Sequence, residues 1–174
     1  MGEREVIHEK ASLFGEAVFA ADDGLITTFA VVAGSAGASF SPTVVLILGF
    51  ANLLADGLSM ATGKYLGVKS ELDYERAEER VIPKHTSPVK TGVITYAAFV
   101  GAGLLPLLPF IFRWGGEFIQ SAVIVGISLF SIGSFRSFYT KKSWFKSGIE
   151  MLVIGGLAAS LAYLVGYLLD KFVV

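Results

Sequence analysis

Three aspartates, Asp22, Asp23 and Asp56, fall in or beside stretches that otherwise carry no charge, and Glu16 stands just ahead of the first of them. An acidic residue at lipid depth costs about 2.5–3.5 kcal/mol on insertion scales, so it normally faces a partner or a water-filled route. Helical spacing sorts these acids onto stripes. Glu16, Asp23, Thr27, Ala30 and Gly34 share one face of a first helix, and Asn52, Asp56, Ser59, Met60, Gly63 and Gly67 share one face of a second. Asp22 adds a further oxygen donor beside Asp23. Facing each other or a symmetry mate, the two stripes would line a polar path. Carboxylates, an amide and hydroxyls suit divalent cations, and the Met60 thioether tips the set toward softer first-row metals. Protons compete with metal for the same oxygens, which would link metal movement to a proton gradient. The ordinary alternatives remain open: gap-filling for Met60, and helix-end or structural hydrogen bonds for Asp22 and Asp56.

Other chemistry is thinner. Glu71, Asp73, Glu75, Glu78 and Glu79 lie on a hydrophilic continuation of the second helix, read either as a solvated face or as a cation-capture surface. His8 and His85 have no metal-ligand spacing. Glu150 sits at the entrance of the last apolar segment, where an acid suits a helix N-terminus. Gly155, Gly156, Ala159 and Ser160 form a small-residue packing face. There is no cysteine, which excludes disulfides and thiolate sites. No nucleotide-binding motif occurs, which excludes a pump driven by this chain, and no nucleophile and base stand at a spacing that would make an enzyme. The net charge of -1 gives no reason to expect a nucleic-acid partner.

Elements must hold these residues at depth, and composition says which. The 174 residues are 53% hydrophobic and 17% charged, with mean hydropathy +0.65. Soluble domains carry about 25% charged residues. About 20 helical residues cross a bilayer. The chain therefore reads as one all-α integral membrane domain, 1–174, with five transmembrane helices near 17–38, 43–66, 91–112, 118–138 and 149–170. Gly34, Gly37 and Pro42 mark the turn between the first two, and 67–90 is a helical extension and linker. Residues 1–16 lack the pattern of a secretory signal, so the first apolar segment is expected to be retained. Pro106 and Pro109 are expected to kink the third helix. Lys and Arg gather at one end of the spans, which places the N-terminus in the cytoplasm and the C-terminus outside it. Trp114 and Trp144 fall at the two interfaces.

Three blocks of sequence carry a family resemblance: DDGLITTFAVVAGSAGAS (22–39), GFANLLADGLSMATGKYLGVKSELDY (49–74) and PLLPF (106–110). They resemble the vacuolar iron transporter family, also called Ccc1-like, and SFRSFY (134–139) and GGLAASLAYLVGYLL (155–169) are compatible with it. The resemblance covers nearly the whole chain. It implies a five-helix homodimer that moves ferrous iron, and often manganese, out of the cytosol in exchange for protons. It also implies ligand roles for Glu16, Asp23 and Met60. Asn52 stands where some members have an acid, and Asp56, one turn on, would compensate. Longer members insert a Glu- and Met-rich metal-binding domain between helices two and three, and this chain has only the short linker. If captured at all before entry, metal would meet Glu71, Glu75, Glu78 and Glu79. The expected cargo is Fe2+ or Mn2+ with no prosthetic group, and the expected host is a plasma, inner or storage-organelle membrane. A non-transporting metal sensor or scaffold, and an uncoupled channel, stay open.

Overall fold

The structure is a computed structural model and describes residues 3–78 and 87–173, with side chains from Lys10 onward except that of Tyr139. His8, Glu79 and His85 lie outside the described side chains, so their expected roles have no structural counterpart here. Among the described residues the chain is all helical. α1 runs Glu3–Gly37, α2 Pro42–Ala77, α3 Pro88–Gly103, α4 Leu108–Phe112, α5 Glu117–Thr140 and α6 Trp144–Phe172. A 3-10 turn, Leu105–Leu107, joins α3 to α4, and the two make one span. Five helices are thus long and apolar enough to cross a membrane: Lys10–Gly37, Pro42–Ala77, Pro88–Phe112, Glu117–Phe138 and Trp144–Phe172. The chain is an integral membrane protein.

Local chemistry explains the breaks. α1 runs straight through Gly34 and ends at Gly37. The turn follows at 38–41, with Ser39 at φ 56° and Pro42 opening α2. Proline has no N–H to lose at a first helical position. Pro106 and Pro109 interrupt the third span as a 3-10 turn rather than a simple bend. The buried Ser121 hydroxyl donates to the Pro106 carbonyl at 2.8 Å, tying that break to α5. Non-helical backbone at this depth needs such a partner because lipid offers none. Arg113 at φ 50°, then Gly115 and Gly116 at φ 76° and 69°, turn the chain into α5.

α1 is the central helix. It packs broadly against α3 and α6, while α3 also packs broadly against α2, so the direct α1–α2 contact is narrower. Leu25, Val32, Leu53, Phe99, Leu107 and Leu129 fill the core between them. Glycines let backbones approach where lipid provides no hydrophobic drive. A Cβ on Gly24 would meet the Phe99 carbonyl, one on Gly37 the Tyr163 carbonyl, and one on Gly166 the Gly34 carbonyl. Of the small residues expected to pack on the last helix, Gly155 abuts Leu129 and Ala159 joins the core, whereas Gly156 and Ser160 face outward. Adjacent residues sit about 100° apart on a helix, so 155 and 156 cannot share a contact. The rest of α6 is lipid-facing, with Val153, Ile154, Leu157, Leu161 and Val165 exposed. Trp114 and Trp144 are both exposed and stand at opposite ends of the bundle, as interfacial anchors do.

Candidate functional site

α1 and α2 form an antiparallel hairpin about the turn at 38–41. Residues at matching distances from that turn therefore meet across the hairpin, and this sets which polar groups face each other. Glu16 near the N-terminal end of α1 lies level with Lys64 of α2. The Lys64 ammonium sits 2.8 Å from Glu16 Oε2, and the buried Thr95 hydroxyl of α3 reaches Glu16 Oε1 at 3.1 Å. Thr95 is also 2.9 Å from the Thr91 carbonyl, so its one proton is shared between two acceptors. Lys64 Nζ lies 5.3 Å from the centre of the Phe19 ring, within cation–π range.

Deeper in the hairpin, Asp23 and Asp56 come close enough for their charges to act on each other. Both are half-buried. Among the described residues neither forms an ion pair. The Thr27 hydroxyl, which the spacing placed beside Asp23, donates instead to the Asp23 backbone carbonyl at 2.8 Å. Asn52, one turn from Asp56 toward the hairpin turn, keeps its Nδ2 buried with no hydrogen-bond partner. Met60 is half-buried and packs against the apolar core. Ser59 is exposed.

Asp22 belongs to a different place. It lines a cavity of about 670 Å³ with Lys10, Phe14, Val18, Arg136, Thr140 and Met151, between α1, α5 and α6. Asp22 Oδ1 and Arg136 Nε are buried there without hydrogen-bond partners, and Arg136 Nη2 reaches Glu150 at 3.5 Å. Sequence reading put Asp22 and Asp23 on one path. The helix turns them to different faces, because successive side chains diverge by about 100°. Glu150, read as a helix-start acid, is an ion-pair partner of Arg136.

Glu71 and Glu75 lie on the part of α2 beyond the apolar stretch and Glu78 caps its C-terminal end, Glu71 and Glu78 exposed and Glu75 half-buried. Among the described residues no three acidic or histidine side chains gather closely enough to hold one metal ion. Among the described residues Glu16, Asp23 and Asp56 thus do not gather closely enough to hold one metal ion together. They fall at two levels of the hairpin: Glu16 beside Lys64, and Asp23 near Asp56, with Met60 on α2 between the two levels. Sequence reading missed Lys64 and Thr95. Lys64 had a signal, since Asn52, Asp56, Met60 and Lys64 follow steps of four along one helix face. Thr95 had none, because nothing in a charge-free span marks which hydroxyl will meet α1.

A family model described as VIT family matches residues 14–85 and 79–167. The chain is 28% identical to the vacuolar iron transporter of Toxoplasma gondii over 90% of its own length and 74% of that protein. It is 26% identical to vacuolar iron transporter 1 of Oryza sativa subsp. japonica, covering 85% of this chain and 82% of the relative. With vacuolar iron transporter homolog 3 of Arabidopsis thaliana the identity is 27%, over 89% and 82% respectively. The Toxoplasma alignment spans 223 positions and the Arabidopsis one 164, for nearly the same share of this chain, so the former relative carries extra residues within the aligned stretch.

Proposed function

The chain belongs to the VIT family, and on that premise we propose that it is a proton-coupled exchanger carrying divalent iron, and manganese, from the cytosol across its host membrane. The observation that supports this reading is the Asp23–Asp56 pair, two half-buried carboxylates on helices apolar enough to cross a membrane, near enough for their charges to act on each other and with no ion-pair partner among the described residues. Such a pair is expensive unless a cation or protons sit on it. A divalent ion and protons are then alternative occupants of the same oxygens, which is the condition for exchange. The excess of Lys and Arg at the Glu16 end makes that end cytosolic and puts the C-terminus on the far side. Metal would enter past Glu16, pass to Asp23 and Asp56, and meet the Met60 thioether, with Asn52 and Ser59 supplying neutral oxygens. Glu71, Glu75 and Glu78 would concentrate cations ahead of the mouth.

One chain supplies too few ligands for a closed shell, so the reading includes a homodimer. On α2, Ser59, Gly63 and Gly67 are exposed, and a Cβ on either glycine would meet nothing within 4 Å. Small residues of this kind let a second copy approach closely. Its stripe would face this one across the path.

The test is metal flux into proteoliposomes, with iron, manganese, cobalt and zinc in competition under an imposed pH gradient. Uptake of iron that rises with the gradient is expected. Metal binding without flux would make the protein a sensor or scaffold, and flux indifferent to the gradient would make it a channel. Met60 provides a second check. Met60→Leu keeps the volume and removes the sulfur, and volume-conserving apolar swaps are tolerated well. We expect the apparent KM for iron to rise about tenfold while that for magnesium stays level, since thioether ligation favours the softer ion. An unaltered selectivity series would remove the thioether from the path.

A further inference from the structure

Glu16 is the first carboxylate on the proposed route, yet both of its oxygens are already engaged. Lys64 Nζ is 2.8 Å from Oε2 and the Thr95 hydroxyl is 3.1 Å from Oε1. The pair is unequally buried: the Glu16 side chain keeps 12% of its exposure and Lys64 keeps 41%. The acid is fixed in a three-helix junction, while the amine hangs at the end of a flexible stem with room on its open side. We propose that Lys64 is a tethered counter-cation that occupies Glu16 between transport events and must be displaced by the incoming ion, so that it sets the affinity and the charge selectivity of the mouth. This inference rests on the metal-transport reading and adds a residue to it.

The physics follows from charge and distance. A tethered group competes at an effective concentration of about millimolar or more, however dilute the solution. A hydrated monovalent ion brings the same single charge as the ammonium and loses to the tether. A divalent ion carries two charges and approaches carboxylate oxygen to about 2.1 Å. Since Coulomb attraction grows with charge and falls with distance, it outbids an ammonium held at 2.8 Å. Lys64 therefore passes divalent ions and refuses sodium and potassium. Between events its charge stabilises Glu16 at the edge of the apolar region, and the Phe19 ring beneath it gives the ammonium a resting surface. Thr95 keeps the carboxylate in place after the ammonium swings away.

The experiment is Mn2+ binding to the purified full-length protein by titration calorimetry, with flux in proteoliposomes measured in parallel. Four variants are compared with the parent: Lys64→Met, Lys64→Arg, Glu16→Gln and the Glu16→Gln/Lys64→Met double. Lys64→Met is expected to bind Mn2+ about tenfold more tightly, to lower KM in the same proportion with kcat within about twofold, and to let excess sodium inhibit. Lys64→Arg, which keeps the cation, should restore the parental affinity. The gain should vanish in the Glu16→Gln background, because the amine then has nothing to contest. If Lys64→Met folds poorly, Lys64→Gln serves the same comparison. Unchanged or weaker Mn2+ binding in the neutral variants, or a gain that survives Glu16→Gln, overturns the assignment. Absent flux in the parent protein would instead count against the transport reading, while the binding comparison still decides the role of Lys64.

Discussion

Asp23→Ala should abolish iron-driven proton movement in proteoliposomes, a loss of about 100-fold or more, while leaving the protein folded and at least as stable. The two halves of this expectation come from one fact. The charges that act on Asp23 are acidic, from Asp22 beside it and Asp56 across the hairpin. Glu16 differs in having Lys64. A single charged residue at lipid depth costs about 2.5–3.5 kcal/mol on insertion scales, and a second carboxylate near enough to act on it adds repulsion. Removing it relieves repulsion and leaves only a small void on a half-buried helix face. Function and stability should therefore move in opposite directions, as they do where a strained site is kept for its activity. A structural aspartate would show the reverse, with melting temperature falling together with flux. Flux that survives the substitution would remove Asp23 from the route, and a melting temperature well below that of the parent would make it a packing residue.

The second large effect lies one residue away and is purely steric. Gly24→Ala places a Cβ against the Phe99 backbone carbonyl, where α1 and α3 nearly touch. Backbone cannot turn aside as a side-chain tip can, so the helices must separate. Overpacking of this kind costs about 3 kcal/mol, equivalent to roughly 10 °C in melting temperature for a chain of this size. Separation would also shift Asp23 relative to Asp56, and Thr95, on the same helix as Phe99, relative to Glu16. Thermal unfolding in detergent and size-exclusion profiles check the first consequence, and iron flux the second. Gly156→Ala is the control: its Cβ would meet nothing within 4 Å, and no change is expected. Equal behaviour of the two variants would mean that the α1–α3 contact is looser than drawn.

Much of the architecture was readable because transfer into lipid is nearly additive along a chain. Long apolar stretches, three of them free of charge, could be counted directly, and among the described residues five helices are long and apolar enough to cross a bilayer. The Pro106–Pro109 interruption was visible for the same local reason, since proline removes a donor whatever surrounds it. That it becomes a 3-10 turn held by Ser121 was not, because Ser121 lies on another helix. Periodicity separated Glu16 and Asp23 from their neighbours on α1 but could not say which helix would lie opposite. Hence sequence alone groups Asp22 with Asp23, although it lines a cavity with Arg136 on a different face of α1. Likewise Gly156 was grouped with Gly155, although only Gly155 meets the core.

By itself, then, the sequence determined that the chain lives in a membrane, how many helices are long and apolar enough to cross it, and which acids those helices carry. Each of these depends on residue type and local spacing alone. Only the tertiary structure decided that α3 packs against both helices of the hairpin, that Thr95 and Lys64 close on Glu16, and that glycine contacts bring backbones together at Gly24, Gly37 and Gly166. Those outcomes depend on how far each helix is rotated about its own axis. Periodicity fixes angles within a helix, and the rotation between helices is set by the packing of all of them at once.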